Sequence, residues 1–178
     1  MYILVESNEI TEIFSNPKAI KVAGITHSRD IFKLWSEAEL KAIGVYTAVI
    51  DTTNLNSTAY YVNTGITYAY ASGAVIGSYG TATAKDLDKL KDKDKELINR
   101  EAYSALQDSD WLVVRAAEGG TAVSSAWTTY RAAVRTKSGD METLIDAAAD
   151  VDALAALYVY NSDDPPIRPL GEFPSKPE

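Results

Sequence analysis

Asp110, Trp111, Arg115, Glu118, Arg131 and Arg135 are the residues of this chain whose types and spacing could do chemistry. Arg131 and Arg135 lie one helical turn apart, so on a helix they share a face. Trp111 and Arg115 have the same spacing. A tryptophan among arginines suits binding, because these side chains dominate the energy of protein interfaces. The same residues also fit a structural role. Arg115 and Glu118 would then pair locally, Trp111 would fill a small core, and Arg131 and Arg135 would pair with nearby acids. The two roles are compatible, since a scaffold that presents an interface must also fold.

No other group competes as a reactive centre. His27 is the single histidine, so a general base or metal ligand there lacks a second imidazole. There are no cysteines, which excludes disulfides, thiolate nucleophiles and thiolate metal sites. Asp150 with Asp152, and Asp163 with Asp164, lack the spacing of a calcium loop and read as solvated carboxylates or helix caps. Gly77-Ser78-Tyr79-Gly80 and Gly119-Gly120 lack a phosphate fingerprint and its lysine, and read as turns. No Gly-x-Ser-x-Gly elbow is present. We therefore expect no enzymatic activity, no metal and no cofactor.

Charge narrows the partners. The chain has 178 residues, 17 Lys and Arg against 25 Asp and Glu, and a formal net charge of -8. Binding to nucleic-acid backbone needs a basic surface, so none is expected. The acids are spread along the chain and favour solubility. Glu6 and Glu9 end the apolar Met1–Val5 start at once, so no signal peptide is expected. No apolar run approaches the roughly 18 residues of a membrane helix, so no membrane insertion is expected.

The elements that must position these residues fall into an α+β chain. Residues 1–82 read as a β-rich domain, an antiparallel meander with a short helix. Tyr2–Val5 and Ile10–Phe14 are strands around a Ser7-Asn8 turn, and Ala19–Ile25 is a third short strand. Ser36 and Glu39 have capping-box spacing and Gly44 is a stop, which predicts a short helix with Ile31, Phe32, Leu34 and Trp35 packing before it. Val45–Ile50 returns to strand. Tyr60–Val62 and Ile66–Tyr70 flank the turn Asn63-Thr64-Gly65, and Ser72-Gly73 precedes Ala74–Ile76 and Tyr79. Tyr68, Tyr70, Val75 and Tyr79 follow period two. That face either packs the half-buried side of the sheet or, as the alternative, serves as a small-molecule or glycan platform.

Residues 83–160 read as helical. Thr83 is the predicted cap of a long helix carrying Leu87, Leu90, Leu97, Ile98, Ala102, Ala105 and Leu106. The alternating charges of Lys91–Glu96 interrupt that stripe. They predict a helix that leaves the β domain, crosses solvent and re-enters a second unit. Coiled-coil pairing into a homo-oligomer is a sharper alternative, although sustained heptads are absent. Ser109 or Asp110 caps the next helix, Ser124 and Ser125 precede one with Trp127, Tyr130 and Val134, and Gly139-Asp140 precede another. This unit has a small core and is expected to lean on the long helix or on a partner. Residues 161–178 form an extended tail with Pro165, Pro166, Pro169, Pro174 and Pro177. Its few apolar groups predict that it orders only along a partner.

Two segments carry a family resemblance. Ser109-Asp110-Trp111, then Arg115 and Glu118, then Tyr130-Arg131 and Arg135, resembles a small module near the C-terminus of bacteriophage tail-fibre and tail assembly chaperone proteins. Ser28–Phe32, Leu34-Trp35-Ser36, Glu39-Leu40 and Ala42-Ile43-Gly44 are similar to a segment of small phage tail proteins, in the same order. The resemblance implies a non-enzymatic tail protein. It would be a structural component of the fibre or baseplate region, or a chaperone for its assembly, located in the virion tail or in the host cytoplasm during assembly. Fibre or baseplate proteins are the implied partners. The expected contact residues are Trp111, Arg115, Trp127, Arg131, Arg135, Pro165, Pro166 and Pro169. The long proline-rich tail departs from the pattern, and it weakens the chaperone role more than the phage assignment.

Overall fold

Three two-residue turns set the pattern of the first half of the chain. In the computed structural model, which describes residues 1–177, Ser7-Asn8, Ala23-Gly24 and Ser72-Gly73 all have positive φ at both positions. That is what the tightest hairpin turns need, because their twist matches that of the strands they join. The turns join β1 (Tyr2–Glu6) to β2 (Glu9–Phe14), β3 (Ile20–Val22) to β4 (Ile25–His27), and, further on, β7 (Ile66–Ala71) to β8 (Ala74–Tyr79). The third strand expected over Ala19–Ile25 is thus a hairpin. Ala23 takes a left-handed conformation that alanine rarely signals.

Between the hairpins lie α1 (Ile31–Leu34), α2 (Glu37–Ala42), β5 (Val45–Asp51) and β6 (Tyr61–Val62). The capping box of α2 is complete. Ser36 Oγ accepts from the Glu39 N–H at 3.3 Å, and Glu39 Oε2 accepts from the Ser36 N–H at 2.7 Å. The Ser36 N–H and, at 2.8 Å, the Ser36 hydroxyl both donate to the Glu39 carboxylate, favour its ionised form and hold the carboxyl below its ordinary pKa. Gly44 ends the helix with φ +84, and its carbonyl accepts from the Val5 N–H at 2.8 Å. A Cβ there would strike the Val5 carbonyl oxygen, so a side chain is excluded twice over.

The main sheet has the order β2-β1-β5-β8-β7. Every pairing in it is antiparallel except β5 with β8, which run parallel. The sheet is therefore mixed and not the expected antiparallel meander. The reason is the long connection through β6, which returns β7 and β8 to the far side of β5. β3 with β4, and β6 with the short β9 (Thr83–Ala84), form separate two-stranded sheets, so β6 and β7, on either side of Asn63-Thr64-Gly65, do not pair with each other. Both faces of β1 are covered. Leu4 packs with Phe14, Ile20, Ile31, Leu40 and Val45. Ile3 and Val5 pack with Val75 and, at the edge, Tyr46, Tyr68 and Tyr70. The tyrosine stripe thus fills this core, with the Tyr46 and Tyr70 hydroxyls 3.3 Å apart.

The chain divides into two compact units, Met1–Thr83 and Ala84–Glu178. The second is helical: α3 (Leu87–Gln107), α4 (Asp110–Ala117), α5 (Ser125–Ala147) and α6 (Val151–Ala156). Its long helix is capped by Asp86, which accepts from the Lys89 N–H at 3.1 Å, rather than by Thr83, which lies in β9. Nor does α3 cross solvent. Leu90, Ile98 and Ala102 are buried on it. Lys91 Nζ donates to the Asp146 carbonyl and Lys95 Nζ to the Asp146 carboxylate, both at 2.9 Å. The lysine charges thus sit at the C-terminal end of α5, where a cation is favoured.

The expected break at Gly139-Asp140 is absent, and α5 runs through it. Tyr130, Val134, Met141 and Ile145 are buried on one face, so packing on both sides outweighs the roughly 1 kcal/mol glycine penalty. The whole is an α+β protein.

One acid within this unit reports on pH. Burial raises the Asp94 carboxyl above its ordinary pKa, opposed by the Tyr158 hydroxyl and the Lys93 charge. A carboxyl with a raised folded-state pKa stabilises the fold while protonated. That contribution is lost as pH rises through the folded value. Asp94→Asn removes it. The variant's melting temperature should therefore gain on the wild type as pH rises from about 4, the ordinary carboxyl value. A constant difference across thermal melts in that range would show that Asp94 carries no such penalty.

Candidate functional site

The corner where α3, α4 and α5 meet is built around Arg131. A helix leaves its last carbonyls without internal partners. Here α5 supplies them: the Tyr130 hydroxyl donates to the Ala105 carbonyl at 3.3 Å, and Arg131 Nη1 to the Leu106 carbonyl at 2.9 Å. Arg131 Nη1 also donates to Ser109 Oγ at 2.5 Å, and Nη2 to Asp110 Oδ1 at 2.7 Å. Ser109 is fully buried and Arg131 is 7% exposed. Ser109 occupies the cap position of α4, but its side chain does not cap that helix and donates instead to the Leu106 carbonyl at 2.8 Å.

This geometry corrects the expected site. Arg131 does not face a partner; it is the fastening of the corner. Trp127 is also engaged within the chain. Its indole meets Tyr130 edge to face at 5.7 Å, and Lys176 Nζ lies 5.7 Å from the ring centroid. Lys176 in turn pairs with Asp108 at 2.8 Å.

The tail docks on the helical unit of its own chain. Leu170 is fully buried, and its N–H donates to the Leu157 carbonyl at 3.0 Å. Phe173 packs against the cluster of Ala102, Tyr130 and Val134. Asn161 closes the loop before it: its N–H donates to the Ile167 carbonyl and its Oδ1 accepts from the Ile167 N–H, both at 2.8 Å. Pro165, Pro166 and Pro169 are exposed on or beside this loop, and the Asp164–Pro165 peptide is cis. Leu170 and Phe173 anchor a segment whose composition reads as disordered. Glu178 lies outside the described residues.

Trp111, Arg115 and Arg135 remain at the surface. No residue of α4 is buried. Trp111 is 57% exposed, Val113 43% and Val114 55%. Arg115 stacks on Trp111, its guanidinium carbon 4.8 Å from the ring centroid, and forms no pair with Glu118. Gly120 crosses close beneath: its N–H donates to the Arg115 carbonyl at 3.0 Å, and a Cβ would lie 2.8 Å from Arg115 Cγ. Arg135 Nη1 donates to the Arg131 carbonyl at 3.3 Å. The side chain then lines an open cleft of about 240 Å³ with Val113, Val123, Thr128 and Arg131. Trp111 is thus not core. Trp111→Ala is expected to cost less than about 1 kcal/mol of stability, since exposed positions free of buried contacts change little. Denaturant melts would read this, and a loss of several kcal/mol would return Trp111 to the core.

Elsewhere the chemistry is sparse. His27 meets Trp35 edge to face at 5.5 Å. Among the described residues no three His, Cys, Asp or Glu side chains group as metal ligands, and no helix is long and apolar enough to cross a membrane. Sequence reasoning missed Ser109 as a buried group and Leu170 as an anchor; nothing in a lone serine or leucine distinguishes either. Comparison with family models, curated proteins and solved structures finds no match to this chain.

Proposed function

We propose that the protein is a non-enzymatic bacteriophage tail subunit, acting in the fibre or baseplate region or in its assembly, and that it engages its partner through α4. The observation that carries the binding role is the exposure of Trp111 and its helix neighbour Val114, one turn apart on a helix with no buried residue. A soluble chain seldom leaves a tryptophan so exposed beside further large apolar groups unless something covers them. The phage setting rests on the order of Asp110-Trp111, Arg115, Glu118, Arg131 and Arg135.

Within that module the geometry separates two tasks. Ser109, Asp110 and Arg131 hold the corner, and Trp111, Arg115 and Arg135 are presented by it. Mass spectrometry of purified phage particles tests the setting. A stoichiometric signal supports a structural subunit. Absence from particles, with co-purification on a fibre protein from infected cells, supports an assembly chaperone. Absence from both rejects the phage reading.

A further inference from the structure

We infer that the groove between α3 and α5 is a peptide-binding site, filled in this structure by the chain's own Phe173–Pro177 segment, and that the same segment of a second copy takes its place when chains associate. The ligand class is an extended, proline-bearing stretch with an aromatic anchor followed by a lysine. The inference is independent of α4 and of the phage setting.

The residues after Gly171 are held as a bound peptide is held. Up to Leu170 the tail belongs to the body: that side chain is fully buried and its N–H donates to the Leu157 carbonyl. Gly171 then turns the chain with φ +74, its N–H bonded to the Arg168 carbonyl. Beyond it, among the described residues, no backbone–backbone hydrogen bond fixes residues 172–177. Side chains attach them instead. Phe173 packs on Ala102 of α3 and on Tyr130 and Val134 of α5. Lys176 Nζ lies 5.7 Å from the centroid of the Trp127 ring and pairs with Asp108, at the end of α3, at 2.8 Å. Pro174 and Pro177 line an open cleft of about 440 Å³ along the α5 residues Ala126, Tyr130 and Ala133.

Each part serves recognition of an extended segment. Aromatic walls accept a chain whose prolines limit the entropy lost on docking. An acid beside an indole selects a cation, through the ion pair and the ring face together. Copies of a chain with net charge -8 repel on average, yet Glu172 and Lys176 leave this segment neutral. The second copy is the occupant by identity of fit: every contact made within one chain is available between two, so exchange costs no contact and the connecting chain sets the balance. A segment with so few bonds opens early. The Lys176 and Asp108 side chains are 50% and 63% exposed, so an incoming chain can form the pair.

Full-length Phe173→Ala removes the aromatic anchor, leaves Leu170 in place and vacates the groove. A fluorescein-labelled peptide with the sequence of residues 171–177 is titrated into it by anisotropy at about 0.1 M salt. The peptide should bind this variant about tenfold or more tightly than wild type, whose own tail competes. Full-length Lys176→Glu, altered only at a half-exposed side chain, is a second acceptor and should also bind it more tightly than wild type. Asp108→Lys added to Phe173→Ala should weaken binding, and a peptide carrying Lys176→Glu should recover the loss. Asp108→Lys alone keeps an intact tail but repels it from its own groove. Mixed with Phe173→Ala at roughly millimolar chain, it should give a heterodimer by light scattering that neither variant gives alone.

A peptide that binds neither acceptor makes the groove a mere packing contact and overturns the inference. Binding that Asp108→Lys leaves unchanged, or that survives Phe173→Ala in the peptide, overturns the assigned site. Peptide binding without a heterodimer overturns the second copy as its occupant.

Discussion

Arg131→Ala is expected to destabilise the helical unit by about 3 kcal/mol, more than any other polar substitution at the α3–α4–α5 corner. The ion pair with Asp110 is not the main reason. Asp110 is 53% exposed at its side chain, so a pair with it contributes little beyond what solvent would give. The cost comes from what the guanidinium leaves behind. Ser109 is fully buried, and without Arg131 its hydroxyl loses the donor it accepts from, while the Leu106 carbonyl loses one bond and keeps those from the Ser109 N–H and hydroxyl. Asp110→Ala should therefore cost only about 1 kcal/mol or less. Arg131→Lys should fall between, because one ammonium cannot span three acceptors in the geometry of the fork. Denaturant unfolding of the three variants reads the order directly. If Asp110→Ala costs as much as Arg131→Ala, the ion pair and not the buried serine and carbonyl holds the corner.

Leu170→Ala should cost about 3 kcal/mol, within the range for a fully buried leucine whose surroundings relax incompletely. The loss should carry a second signature. Phe173 and Lys176 follow Leu170 along the surface of α3 and α5, so freeing the anchor should expose Trp127 and shift its fluorescence to longer wavelength. Hydrogen exchange at the Leu170 amide, bonded to Leu157 in the native fold, should speed up in the variant. Deletion of residues 162–178 should thus damage the helical unit. A stable truncated protein with unchanged Trp127 emission would show that the tail docks too weakly to matter.

Local patterns read well from the sequence and long-range ones did not. Ser36, Glu39 and Gly44 declared α2 because capping and left-handed termination are decided within a few residues. Ser7-Asn8 and Ser72-Gly73 declared their hairpins for the same reason. The parallel pairing of β5 with β8 depends on where a long connection returns, which no window of residues contains. Within Lys91–Glu96, Asp92, Lys93 and Glu96 are exposed as the charges suggest, whereas Lys91 and Lys95 reach the end of α5, a contact no local window contains. At the candidate site, residue types and spacing singled out Asp110, Trp111, Arg115, Arg131 and Arg135, but not which face water. Arg131 and Arg135 share a helix face by spacing, yet one is buried and the other exposed, because only Arg131 lies opposite Ser109 and the end of α3.

The sheet order β2-β1-β5-β8-β7 has a kinetic meaning. β1 with β2, and β8 with β7, are hairpins closed by two-residue turns, and such hairpins form within about 1–10 μs. β5 belongs to neither and sits between them, antiparallel to β1 and parallel to β8. Both of its ladders are non-local, so completing them carries the loop entropy of bringing the two ribbons to it. We therefore expect β5 to complete the sheet last. Conservative truncations at Val45 or Ala48 should mainly accelerate unfolding, whereas changes at Gly73 should slow folding. Chevron plots that put both effects on the same limb would mean that β5 is already in place when the barrier is crossed.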